Sequence, residues 1–137
     1  MWKLLLVTVT VFAFSGVSGR ASIALLQGGH NMDSLRGKTV RWTFTDGPGA
    51  GTSYEHTLHH DGTVTWRVLE GQGKGASALE KTYATMQVAE HVHTMSYLAA
   101  SGHTLTVVMN LETGRVFAFA SNSKEWYPLT GTFEVVQ

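Results

Sequence analysis

From Lys38 to Val136 the chain is a succession of short runs with period-two alternation, broken by turn residues and lacking helical periodicity over three turns after residue 35. That pattern leaves little room for anything but an antiparallel β fold. Lys38 to Thr45 sets Val40, Trp42 and Phe44 against Thr39, Arg41, Thr43 and Thr45. A Gly/Pro stretch, Asp46 to Gly51, then interrupts the ladder. Thr52 to His60 sets Tyr54, His56, Leu58 and His60 against Ser53, Glu55, Thr57 and His59, and Asp61-Gly62 is a hairpin turn. In Thr63 to Leu69, Val64, Trp66 and Val68 oppose Thr65, Arg67 and Leu69. Both sets are partly apolar, so the pattern leaves the inward face open. Five more runs follow: Glu80 to Val88, Val92 to Ala99, His103 to Asn110, Arg115 to Ser121 and Gly131 to Val136. Trp126, Tyr127 and Pro128 fall in the loop before the last. Short links favour an up-and-down order. Eight such strands close into a small barrel with space for one small ligand. The expectation is an all-β, eight-stranded antiparallel up-and-down β-barrel over residues 35–137.

The composition fits one packed domain: 137 residues, 43% hydrophobic and 15% charged. Ten basic residues balance ten acidic ones with no basic stripe, which argues against a nucleic-acid partner. Without cysteine there is neither a disulfide nor a thiolate metal site. Residues 1–19 have the order of a secretory signal: Lys3, the apolar run Leu4 to Phe14, then Ser15-Gly16-Val17-Ser18-Gly19. That apolar run is too short to span a bilayer, which takes about 20 residues. A cleaved signal implies a secreted or periplasmic protein. The alternative is an N-terminal extension upstream of a start near Met32, which implies a cytoplasmic one. Residues 20–34 read as a linker.

Three constellations are candidates for chemistry. Tyr54, His56 and Arg67 form a polar cluster on the second and third runs. Facing inward, Arg67 would anchor a bound acid and Trp42 and Phe44 would form an aromatic wall; facing outward, it is a solvated strand residue. The spacing of His91 and His93, and of His59 and His60 beside the hairpin, suits turn ends better than a zinc site, and no HExxH accompanies them. Ser96, Ser101 and Ser121 lie in no GxSxG elbow. Glu55, Glu80 and Glu134 are the acids well inside runs, and a lone strand glutamate is ordinarily solvated. No metal or cofactor is implied.

Several stretches together resemble the MoaF-like proteins, named for molybdenum cofactor biosynthesis protein F. They are Gly37 to Phe44, Tyr54-Glu55-His56, Asp61 to Arg67, Gly102 to Asn110, Thr113 to Val116 and Gly131 to Val135. The resemblance covers about Leu35 to Val136. It implies a calycin-type barrel, alongside lipocalins and phenolic acid decarboxylases. Those decarboxylases use paired tyrosines on the first strand, an arginine on the third and a glutamate further along. Here Trp42 and Phe44 replace the tyrosines, Arg67 is similar in position to the arginine, and no acid stands near Leu98. The resulting expectation is a binder of a small, partly aromatic molecule, with its acidity left open. Trp42, Phe44, Tyr54, Tyr83 and Tyr97 would be wall residues, His56 a hydrogen-bonding group and Arg67 the anion anchor. The alternative is a lyase or isomerase acting on an aromatic acid through Tyr54 or His56. Homodimerisation stays open.

Overall fold

A computed structural model describes residues 35–137. The expected signal and linker, residues 1–34, lie outside the described residues. The strands are β1 (Thr39–Phe44), β2 (Ser53–Leu58), β3 (Val64–Glu70), β4 (Ser77–Glu80), β5 (Ala84–Ala89), β6 (Val92–Leu98), β7 (Thr104–Asn110), β8 (Arg115–Ser121) and β9 (Trp126–Val135). They form one nine-stranded sheet in the order β4-β3-β2-β1-β9-β8-β7-β6-β5, with every neighbouring pair antiparallel.

This order departs from the expected closed eight-stranded barrel at one place. The run Glu80 to Val88, which reads as one strand, is two. β4 pairs with β3, β5 pairs with β6, and Lys81-Thr82-Tyr83 separates them. Eight antiparallel steps separate β4 from β5, so the two run in the same direction as pieces of one strand course. Glu80 and Ala84 cannot be further apart than about 14 Å, the reach of an extended chain of that length. The two edges of the sheet are therefore tethered close together, and the sheet must curl strongly. No ladder joins them, however, and the result is an open half-barrel.

A second difference is the length of β9. Trp126, Tyr127 and Pro128 belong to it, paired with Ser121, Ala120 and Phe119 of β8. Proline is tolerated because the β1 ladder on the other flank begins only at Gly131, so Pro128 faces a single neighbouring strand. At Gly131 itself β1 and β9 approach so closely that a Cβ would overlap the Thr43 carbonyl.

Alternation decides what the curled sheet encloses. Val40, Trp42, Phe44, Leu58, Val64, Met95, Tyr97, Val107, Met109, Val116 and Ala118 form the buried core. Thr, Ser and Arg side chains of the same strands face outward, with cross-strand hydroxyl pairs such as Thr43–Ser53 at 2.7 Å and Ser96–Thr106 at 2.8 Å. The β2–β3 turn falls where the sequence suggests but is one residue longer: His59 bonds to Thr63, and His60, Asp61 and Gly62 form the loop. Asp61 Oδ1 accepts from the Thr63 amide at 2.9 Å, and Gly62 takes φ 89°, a conformation that disfavours side chains. Among the described residues no helix is long and apolar enough to cross a membrane.

Candidate functional site

Inside the curl lies a cavity of about 250 Å³. Trp42 and Phe44 of β1, Tyr54 and His56 of β2, Trp66 of β3 and Tyr97 of β6 line it with their rings. Ala99, Ser101, His103 and Thr104 bound it from the β6–β7 hairpin, and Leu105, Ala120 and Leu129 complete the wall. Space exists because small residues, Ala99 and Ala120, stand where the facing strands present large rings. The rings pack on one another before any ligand is considered. Trp42 stacks on His56 with centroids 4.1 Å apart, and Phe44 meets Tyr54 edge-on at 5.8 Å.

His56 is the buried polar centre of this wall. Its Nε2 lies 3.0 Å from the Tyr97 hydroxyl, while its Nδ1 is buried with no partner among the described residues. Burial pushes the imidazole down to about 3, so it is neutral at ordinary pH. Tyr97 is raised by burial first and then by the negative charge of Glu80. Tyr54 is raised by burial alone. Groups moved this far from neutrality give and receive hydrogen bonds but are poorly placed to exchange protons with a substrate near pH 7.

Glu80 is a residue that sequence reasoning misjudged. Expected to be solvated, it is only 3% exposed. Its Oε1 accepts from Trp66 Nε1 at 3.0 Å and its Oε2 from the Ala100 amide at 2.8 Å. The carboxylate thus spans the gap between the β3–β4 edge and the β6–β7 turn and fixes two parts of the cavity rim. No local signal in the sequence announces this, because both partners come from distant segments.

The expected site residues divide. Trp42, Phe44, Tyr54, His56 and Tyr97 come together around the cavity. Tyr83 is buried but does not line it: its hydroxyl donates to the His59 carbonyl at 3.0 Å, and its amide donates to the Gly62 carbonyl. Arg67 corrects the expectation of an interior guanidinium. It stands on the outer face with its side chain 57% exposed, bound to Glu55 at 2.6 Å. Glu55 also holds Arg41 at 2.7 Å, and Arg41 reaches Glu134 at 3.7 Å. These four occupy one register row across β3, β2, β1 and β9, alternating in charge. The arginines hold the Glu55 carboxyl below its usual range, the Arg41 hydrogen bond contributing most. As for the histidine pairs, His91 is in the β5–β6 turn at φ 57° while His93 is buried in β6. Among the described residues no group of three His, Cys, Asp or Glu side chains is placed to hold a metal ion.

A curled antiparallel half-barrel with an aromatic-lined internal cavity defines the class. Comparison with protein families narrows it: residues 36–134 match MoaF-like, and the chain belongs to that family. No curated protein matches the chain. Among solved structures, one named "putative beta-lactamase from Burkholderia vietnamiensis" shares the fold at TM-score 0.66 and 18% identity, over 75% of this chain and 96% of that one. At that identity the likeness concerns the fold alone.

Proposed function

We propose that this MoaF-like half-barrel binds a small, uncharged, partly aromatic molecule in its internal cavity. The observation that carries the reading is the wall itself: five aromatic rings and the buried neutral imidazole of His56 around about 250 Å³, with His103 on the β6–β7 hairpin and no Asp, Glu, Lys or Arg in the lining. An acid anchored on Arg67 has lost its support, since that guanidinium is on the outer face and engaged with Glu55. Neutral His56 favours binding over acid–base turnover.

Titration with one-ring aromatic compounds, followed by tryptophan fluorescence and calorimetry, tests the proposal. The expected result is saturable quenching through Trp42 and Trp66, abolished by filling the cavity with Ala120→Phe while the far-ultraviolet spectrum is unchanged. Quenching that survives the filled cavity, or none at all, overturns it. Absorbance of a hydroxycinnamate panel in the same samples registers turnover, the outcome that would favour a lyase or isomerase. Export of the chain is a separate part of the reading, supported by the charged, apolar and small-residue order of residues 1–19. Intact mass of protein recovered from its native host would show cleavage near Gly19.

A further inference from the structure

His56 Nε2 and the Tyr97 hydroxyl oxygen, 3.0 Å apart, can share their hydrogen bond in two ways. If Tyr97 donates, the imidazole proton sits on Nδ1, which is buried and partnerless among the described residues. An N–H is then stranded in the core. If Nε2–H donates, the atom left without a partner is a lone pair. Orphaned buried N–H groups are rarer in folded proteins than under-satisfied acceptors, and a stranded donor loses its full hydration. The second arrangement is the less costly.

It has a consequence for Tyr97. Burial and the charge of Glu80 both keep the phenol protonated. With its oxygen accepting from His56, its own proton needs an acceptor elsewhere, and the hydroxyl has no second partner among the described residues. Tyr97 lines the cavity, so the direction open to that proton is inward. Tyr54 also lines the cavity, and its hydroxyl makes no hydrogen bond to another described residue.

We infer that His56 is the Nε2–H tautomer, that Tyr97 therefore aims its hydroxyl proton into the cavity, and that the site selects one-ring aromatic molecules bearing a neutral acceptor such as a ketone or aldehyde oxygen. This rests on the binding reading above and specifies its ligand class. A carboxylate would also accept from Tyr97. It would enter a lining without Lys or Arg, however, where both ring nitrogens of His103 are already paired, with Ser101 and Asn122, and would lie within the field of Glu80, which already acts on Tyr97.

Three probes of similar shape separate the cases: acetophenone, ethylbenzene and benzoate, titrated into the full chain by calorimetry. Acetophenone should bind about tenfold more tightly than ethylbenzene, the worth of one buried hydrogen bond, and benzoate should be weaker than acetophenone. Tyr97→Phe should erase the preference for acetophenone while ethylbenzene binding persists. Long-range ¹H–¹⁵N NMR of the unliganded wild-type protein reads the tautomer directly and needs no variant. A proton on Nδ1, or equal binding of acetophenone and ethylbenzene, overturns this inference and leaves the binding reading intact. Failure of all three to bind saturably overturns both.

Discussion

Glu80 accepts the indole N–H of Trp66 at 3.0 Å with one oxygen, and with the other it holds the amide of Ala100, twenty residues further along the chain. This carboxylate links two parts of the sheet that no ladder connects. Glu80→Ala should therefore leave two part-buried donors without their acceptor and cost about 1.5–3 kcal/mol, as expected for hydrogen bonds to a charged group. Glu80→Gln keeps one acceptor and should cost about half as much. Urea denaturation measures both, and equal stability of all three proteins would remove the bridge from the account.

Acid sensitivity should trace to His56. Above its ordinary range, near pH 6.5, the imidazole is neutral in both the folded and unfolded chain and has no effect on the pH dependence. As pH falls below that, the unfolded chain takes up a proton that the folded one refuses until about pH 3. Stability is thus lost as pH falls through this window, at up to about 1.4 kcal/mol per pH unit for one proton. His56→Gln should flatten the stability profile between pH 6 and 4 relative to wild type. Unchanged slopes would place the acid sensitivity in other groups.

Arg67→Ala should have little effect on either stability or ligand. Its partner Glu55 keeps Arg41, and an exposed ion pair contributes within about 1 kcal/mol. Affinity for any molecule bound in the cavity should match wild type. A tenfold loss would mean that ligand reaches the outer face.

Gly131→Ala should break the seam between β1 and β9, because the new methyl group meets backbone at Thr43 and Phe44 and no flexible side chain can yield. A cost of about 2–3 kcal/mol is expected from such overpacking. Thr132→Ala, one position along on the exposed side, should stay within about 0.5 kcal/mol. Thermal unfolding of the pair distinguishes a steric seam from general sensitivity of the strand.

Alternation along the chain was sufficient for the class of fold, for the inner faces of β1 and β2, and for most of the cavity's rings. Period-two patterning reports directly which side chains share a face. The face of β3 was not within reach, because it depends on the exact length of the turn before it. A two-residue turn at Asp61-Gly62 would pair His60 with Thr63 and set Arg67 opposite His56. The actual loop has three residues, His60 to Gly62, which sets Trp66 opposite His56 and Arg67 opposite Glu55 on the outer, charged face. That one extra loop residue moves Arg67 off the face shared by Tyr54 and His56. Only the tertiary structure decided the remainder. Glu80 to Val88 has the local pattern of one strand, and its division at Lys81 to Tyr83 depends on which distant neighbour each half meets. The burial of Glu80, the solitary Nδ1 of His56 and the open seam of the sheet arise in the same way. Each is set by contacts between segments far apart in the chain, and local periodicity carries no information about those.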